Sequence, residues 1–191
     1  MTLDEIRVEI DAVDTQMKPL FLKRMECAKQ VAEAKAKTGG DVFVLERELS
    51  IIEKRAGDVD KEVYDEYVAF LRHLMSVSRR YQYGILTGMQ DKVLSSAEKE
   101  AGIDEATPHS QVEIAFTCPK DTSDLNLYIN MTKLNGVEID AMSLETADGV
   151  QNIRIVLDGN LREEKMRRLL CQIGKEAENF NLVGIKSDEN E

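Results

Sequence analysis

The sequence opens with an amphipathic pattern that is too long for one small domain to cover. Apolar residues recur at three- and four-residue steps from Leu3 to Phe21 and again at Val31, and the pattern ends at Thr38 and two glycines. About 35 residues at 1.5 Å each form a helix of roughly 50 Å. Such a helix needs a partner along its length, because helix propensity alone stabilises it poorly. Pro19 removes one helical hydrogen bond, so we expect a kink there.

Two further helices complete an all-α first domain. Apolar spacing predicts one helix at 45–55 and another that begins after Asp58 or Asp60, both good N-capping residues. The last helix continues to about residue 83, and the residues after it are polar and only weakly helical. We therefore place a three-helix domain at 1–90.

The second half has the pattern of an α+β domain. From Ser110, apolar and polar residues alternate with a period of two, as in a half-buried strand. After it the sequence predicts, in order, a helix, a strand, a turn at Asp148-Gly149, a strand, a helix and a last strand. The helices are predicted at 121–134 and 161–179, and the three later strands at 137–146, 151–157 and 180–185. The order βαββαβ is that of a ferredoxin-like unit, which we place at 110–187 after a linker at 91–109.

The charge distribution excludes some partners and leaves room for a cationic site. The net charge of the chain is −11, which argues against nucleic acid or an anionic membrane surface as the main partner. Residues 91–191 hold 20 acidic and 11 basic side chains, whereas residues 1–90 are nearly balanced at 16 and 14. The first domain can therefore concentrate positive charge locally.

The cysteines and the apolar runs point to the cytoplasm. Cys27, Cys118 and Cys171 are too few for a disulfide framework and lack the spacing of a zinc site, so we expect buried, reduced thiols. The acidic first residues are unlike a signal peptide. No apolar run approaches the roughly 18 residues that a membrane-spanning helix needs.

Helix geometry brings some of the cations together and keeps one apart. Arg24 and Lys35 are 11 positions apart, which at about 100° per residue places them within roughly 20° of each other. Arg7 lies 17 positions before Arg24 and points roughly 100° away. If the helix pairs with a second copy of itself, Arg7 can serve the partner's site. Ser78 and Gln82, at i and i+4, are neighbours on one helical face.

These polar residues and their spacing resemble the all-helical class of chorismate mutases. The resemblance covers about 80 residues and agrees in spacing as well as in identity. The matching positions are Ile6 to Asp14, Leu22-Lys23-Arg24, Ala34-Lys35, Glu46-Arg47-Glu48, Ser78 and Gln82. In that family, three helices from each of two chains interlace into a homodimer with two active sites. The resemblance implies that Arg7 reaches the active site of the partner chain.

The resemblance also implies the reaction, a Claisen rearrangement of chorismate to prephenate in phenylalanine and tyrosine biosynthesis. The reaction is pericyclic and requires no metal, cofactor or nucleophile. The enzyme must hold the substrate folded and stabilise negative charge on the breaking ether oxygen. By position, Lys35 and Gln82 would donate to the ether oxygen, and Glu48 would accept a hydrogen bond from the ring hydroxyl.

The remaining members of the set would hold the substrate carboxylates. Arginine suits this task because its planar guanidinium binds a carboxylate bidentately. The resemblance assigns this role to Arg24 and to Arg7 of the partner chain. Ser78 would assist at a carboxylate, and Arg47 would support that end of the pocket. One departure from the family pattern is Val44, where many members carry an acidic residue near the ring hydroxyl.

The βαββαβ segment resembles an ACT domain, a module that senses amino acids and is often fused to enzymes of aromatic biosynthesis. The resemblance rests on the order of elements and on the fusion. It implies allosteric regulation by an aromatic amino acid, phenylalanine or tyrosine. The loop at 118–124 lacks the glycine-containing signature of the best-known phenylalanine sensors. A dimerising or purely structural module is the alternative for this half.

Two other functions are consistent with the same residues. A lyase that removes pyruvate from isochorismate would use much the same cations on the same helical scaffold, and assays of both substrates separate the two. The second alternative is a catalytically silent regulatory or interaction subunit. The completeness of the seven-residue set argues against it.

Overall fold

A long N-terminal helix dominates the computed structural model, which describes residues 1–120 and 125–187. Helix α1, Leu3–Thr38, is α-helical along its whole length, through Pro19. Thr2 and Glu5 form a capping box at its start. Gly39 ends the helix in the left-handed conformation with φ of 76°, and its N–H donates to the Lys35 carbonyl at 2.8 Å. The predicted helix and its glycine terminus are confirmed.

Helices α2, Leu45–Ala56, and α3, Tyr64–Ile85, complete the helical half, by which we mean α1 to α3. The expected start of α3 directly after Asp58 or Asp60 is wrong. The Asp60 carboxylate accepts a hydrogen bond at 2.9 Å from the N–H of Glu62, within a turn that precedes the helix. Since the carboxylate is used in the turn, it does not cap the helix.

A fourth helix, α4, Thr87–Ala101, lies where the sequence favoured a weakly helical linker. Its Leu94 and Ala97 are buried in the core of the C-terminal half. The stretch 91–109 is therefore not merely a connection, because most of it is a helix that packs. The polar composition of α4 conceals this, since only a narrow stripe of the helix is buried.

The C-terminal elements form a four-stranded antiparallel sheet with helices packed on it. The strand order is β2-β3-β1-β4, which confirms the predicted ferredoxin-like βαββαβ fold. The elements are β1 Gln111–Pro119, α5 Leu125–Asn135, β2 Ile139–Ala147, β3 Val150–Asp158, α6 Glu164–Glu176 and β4 Glu178–Lys186. We refer to β1 to β4 with α5 and α6 as the sheet half. The first four residues of the predicted helix 121–134 lie outside the described residues.

Helix α6 is shorter than the predicted range 161–179. Leu161 is fully buried ahead of the helix, and β4 begins at Glu178, so both ends of the apolar pattern belong to neighbouring segments.

At the β2–β3 hairpin, Asp148 and Gly149 have φ of 49° and 77°. Positive φ at both central residues is the requirement of a type I′ turn, as the Asp-Gly pair predicted.

A second buried cluster joins the two halves. It contains Ala32, Val42 and Tyr83 from the helical half, Leu86 between α3 and α4, and Cys171 from α6. The prediction of buried cysteines holds for Cys118 and Cys171 and is wrong for Cys27, which is exposed. Burial raises the pKa of Cys171 to about 12.

None of the helices among the described residues is both long and apolar enough to cross a membrane.

Candidate active site

Six of the seven polar residues singled out in the sequence surround one pocket of about 250 Å³ in the helical half. The pocket lies between α1, α2 and α3. Its polar lining residues are Arg24, Lys35, Arg47, Glu48, Ser78, Arg79 and Gln82. The helical-wheel argument for Arg24 and Lys35 therefore agrees with where the structure places them. The volume suits part or all of one small molecule.

Arg24 and Ser78 form one wall of the pocket. The Arg24 guanidinium donates to the Ser78 hydroxyl and, at 3.3 Å, to the Leu74 carbonyl. The Ser78 hydroxyl in turn donates to the Leu74 carbonyl at 3.0 Å, which fixes its direction. Burial is the main cause that lowers the pKa of Arg24, although Glu48 acts in the opposite direction. A bound anion would relieve the cost of keeping this cation desolvated.

Lys35 forms a second wall. Its ammonium donates to the main-chain carbonyl oxygens of Asp41 and, at 3.3 Å, Val42. Burial is the largest cause that lowers the pKa of Lys35, and the positive charge of Arg47 lowers it further. The carbonyl contacts aim the ammonium without neutralising it, so it remains available to an anionic ligand.

Gln82 lines the pocket and is buried, with 8% of its surface exposed. Its Nε2 donates weakly, at 3.4 Å, to the Ser78 carbonyl one turn earlier. Its Oε1 is buried and has no hydrogen-bond partner among the described residues. A buried amide that is only partly satisfied is costly unless a ligand supplies the missing contact.

Arg79, which the sequence analysis missed, is the most strongly held cation of the pocket. Its Nη1 donates to the carboxylate of Glu48. Its Nε and Nη2 donate to the two carboxylate oxygens of Glu176 at 2.8 Å each. The guanidinium also lies 5.0 Å from the centre of the Phe43 ring. Burial alone would lower the pKa of Arg79, but Glu176 and then Glu48 raise it overall, so the side chain is charged.

No local signal in the sequence marks Arg79 as part of the site. It follows Ser78 directly and reads as one of many exposed helical cations. Its partner Glu176 is 97 positions later, at the end of α6. Only the packing of the sheet half against α3 brings the two side chains together.

Arg7 does not reach the pocket of its own chain. Its side chain is 65% exposed and pairs with Asp4 at 3.2 Å. The 17 positions that separate it from Arg24 correspond to roughly 25 Å along α1.

Val44 does line the pocket, and as the N-cap residue of α2 it offers no side-chain hydrogen bond. The first amide groups of α2 therefore lack a side-chain cap beside the pocket.

The pocket is electropositive although the chain is acidic. Arg24, Lys35 and Arg47 bring three positive charges, while the charge of Arg79 is offset by Glu48 and Glu176. Burial raises the pKa of Glu176, and its ion pair with Arg79 acts in the opposite direction. Such a site favours a small ligand with more than one carboxylate. Within residues 1–120 and 125–187, no group of three His, Cys, Asp or Glu side chains lies where it could hold a metal ion.

Comparisons with known proteins cover the helical half. Residues 6–83 match the family model of chorismate mutase type II. The T-protein of Haemophilus influenzae is 30% identical over 91 residues, which cover 44% of this chain and 24% of that protein. The chain thus spans about a quarter of the length of this relative, and no solved structure matches it significantly. All six pocket residues predicted from the sequence lie inside the range that matches the chorismate mutase type II model.

Proposed function

We propose that this protein is a chorismate mutase, an isomerase that converts chorismate to prephenate in the biosynthesis of phenylalanine and tyrosine. The observation that carries the proposal is the convergence of Arg24, Lys35, Glu48, Ser78 and Gln82 on one electropositive pocket inside the matched domain. A substrate with two carboxylates and an ether oxygen suits these groups in number and charge.

The proposed mechanism requires binding and electrostatic stabilisation only. Arg24 and Ser78 hold one substrate carboxylate, and their existing hydrogen bond preorganises them for it. Lys35 and Gln82 donate to the ether oxygen as the C–O bond breaks. The Gln82 Nε2 is available for this, because its hydrogen bond to the Ser78 carbonyl is long at 3.4 Å, and the Lys35 ammonium can donate beside its carbonyl contacts. Glu48 accepts a hydrogen bond from the ring hydroxyl.

The site is completed, in this proposal, by a second copy of the chain. Every residue of α1 from Leu3 to Lys23 is exposed in the single chain, including a row of large apolar side chains. A row of this length on one helix marks an interaction surface. A homodimer that buries it would also carry Arg7 to the partner's pocket, where it would bind the second carboxylate.

The test is an assay of chorismate consumption by the purified chain, with prephenate as the expected product. Isochorismate serves as the second substrate, because an isochorismate pyruvate-lyase would need much the same cations. Release of pyruvate from isochorismate without consumption of chorismate would favour the lyase. Failure to convert either substrate by a folded dimer would favour a silent regulatory or interaction subunit.

We further propose that the sheet half regulates the reaction as an ACT-like domain, in a cytoplasmic enzyme. The support is its ferredoxin-like fold together with the buried cluster that it shares with the helical half. Calorimetry and activity measurements with phenylalanine and tyrosine test this. Absence of binding heat together with unchanged turnover would leave the sheet half a structural module.

A further inference from the structure

A chain of buried ion pairs connects the end of α6 to the pocket. The Glu176 side chain is 3% exposed, that of Arg79 5% and that of Glu48 18%. Gln172, one turn before Glu176 on α6, donates to Glu176 Oε1 at 3.2 Å. The cluster therefore runs without interruption from the sheet half to a residue that lines the pocket.

Each link of this cluster depends on the previous one. Glu176 binds Arg79 bidentately, which fixes the plane of the guanidinium and leaves Nη1 directed at Glu48. A buried cation or carboxylate without its partner is strongly unfavourable, so Arg79 and Glu176 hold each other in place. The direction of the Glu48 carboxylate follows from the direction of Arg79.

The same end of α6 reaches the pocket by a second contact. Lys175 pairs with the Asp41 carboxylate at 2.6 Å. The main-chain oxygen of Asp41 accepts a hydrogen bond from Lys35. Two adjacent residues of the sheet half thus contact the groups that support Glu48 and Lys35.

We propose that Arg79 and Glu176 are positioning residues, which act on the reaction by fixing the orientation of Glu48. The proposal rests on the proposed function, because it assigns Glu48 a contact with the substrate. It goes beyond that function in making the active site span both halves of the chain. The matched family domain ends at residue 83, so Glu176 lies outside it.

The test compares Glu176→Gln with the wild-type chain and with a matched control, Arg80→Gln. Arg80 is the neighbour of Arg79 on α3 and also reaches the sheet half, through Asn135 Oδ1 at 3.4 Å, but it does not line the pocket. We expect Glu176→Gln to lower kcat by about 10- to 100-fold, since small displacements of positioned groups have effects of this size. Arg80→Gln should change kcat by less than about twofold.

A double-mutant cycle separates positioning from a general structural role. In a Glu48→Gln background, Glu176→Gln should change kcat by less than about twofold, because the carboxylate whose orientation Glu176 fixes is already absent. If the double variant instead lost kcat by the product of the two single losses, the two residues would act independently and the proposal would be overturned. So would a fall in KM at constant kcat in Glu176→Gln, which would indicate only a change of pocket charge.

Two further measurements keep the proposal testable if Glu176→Gln folds poorly. Arg79→Lys keeps the charge but lacks the planar guanidinium that binds Glu176 bidentately while donating to Glu48. We expect the same loss of kcat in this variant, with normal circular dichroism. A crystal structure of either variant should show Glu48 displaced, and an unmoved carboxylate would overturn the proposal without reference to turnover. A wild-type chain that leaves chorismate unchanged would instead refute the proposed function.

Discussion

The two halves of this chain complete their cores in different ways. In the sheet half, Ile114, Ile155, Leu157, Leu169 and Ile173 are fully buried within one chain. In the helical half, the first buried residue of α1 is Ala28, and large side chains such as Leu20 remain 71% exposed. The sheet half therefore completes its core by its own packing, whereas the helical half leaves a long apolar surface exposed. The candidate active site belongs to the half that is incomplete.

The largest expected effect concerns the lysine that lines the pocket. Lys35→Ala should reduce kcat by about 10²- to 10³-fold, because it removes a donor to the developing charge on the ether oxygen. Lys29 of the same helix is the matched control, since it is exposed and only approaches Glu33 at 3.9 Å. Lys29→Ala should leave turnover unchanged. Steady-state assays of both folded variants measure the difference, and full activity in Lys35→Ala would contradict the mechanism.

The next effect tests whether the helical half is completed by a partner chain. Arg7→Ala and Arg24→Ala should each be nearly inactive alone. After subunit exchange, each mixed dimer should regain one of its two sites, because one pocket then receives Arg24 from one chain and Arg7 from the other. Mass spectrometry verifies the exchange, and activity of the mixture is compared with that of each parent.

Lys23 provides the control for this complementation experiment. It neighbours Arg24 but is exposed and pairs with Glu26 at 2.7 Å. Lys23→Ala alone should be as active as the wild-type chain, and its mixed dimers with Arg7→Ala chains should keep one intact site of two. Recovery that is absent in the Arg24→Ala mixture despite verified exchange would place Arg7 in the site of its own chain and break the comparison.

What the sequence could predict follows the range of the interactions. Periodicity located α1, the alternation of β1 and the Asp148-Gly149 turn, because each is determined by neighbours in the chain. The position of Lys35 on the same helical face as Arg24 could also be predicted, because both residues belong to α1. The contact of Arg79 with Glu176 did not, because 97 positions and a domain interface separate them. The start of α3 was predicted wrongly, because the Asp60 carboxylate accepts a hydrogen bond from Glu62 in a preceding turn and does not cap the helix.

Stability should distinguish the two halves by its dependence on protein concentration. Ile155→Ala leaves a cavity in the complete core of the sheet half and should cost about 2–5 kcal/mol. That cost should be the same at every protein concentration. The melting temperature of the wild-type chain should itself rise with concentration, because the proposed homodimer would stabilise the helical half.

Val150, on the same strand as Ile155 but 37% exposed, is the control for this prediction. Val150→Ala should change the free energy of unfolding by less than about 1 kcal/mol. Calorimetry over a wide concentration range measures all three proteins. A wild-type melting temperature that is independent of concentration would indicate that the helical half is stable as a monomer, and the contrast between the halves would fail.

The smallest expected effect is a shift in the pH dependence of turnover. Lys35 must be protonated to donate, so activity is present below its pKa and lost as pH rises through it. Burial and the neighbouring charge of Arg47 lower the pKa of Lys35. The alkaline loss of kcat/KM should therefore begin at lower pH than the titration of an exposed lysine would give. Arg47→Gln removes one of the lowering causes and should move this loss to higher pH, even where kcat/KM itself falls. Arg55→Gln, a charge removal on the same helix outside the pocket, should leave the profile in place. An alkaline limb that moves equally in both variants would show that it does not report Lys35, and the assignment of Lys35 as a hydrogen-bond donor to the ether oxygen would lose its support.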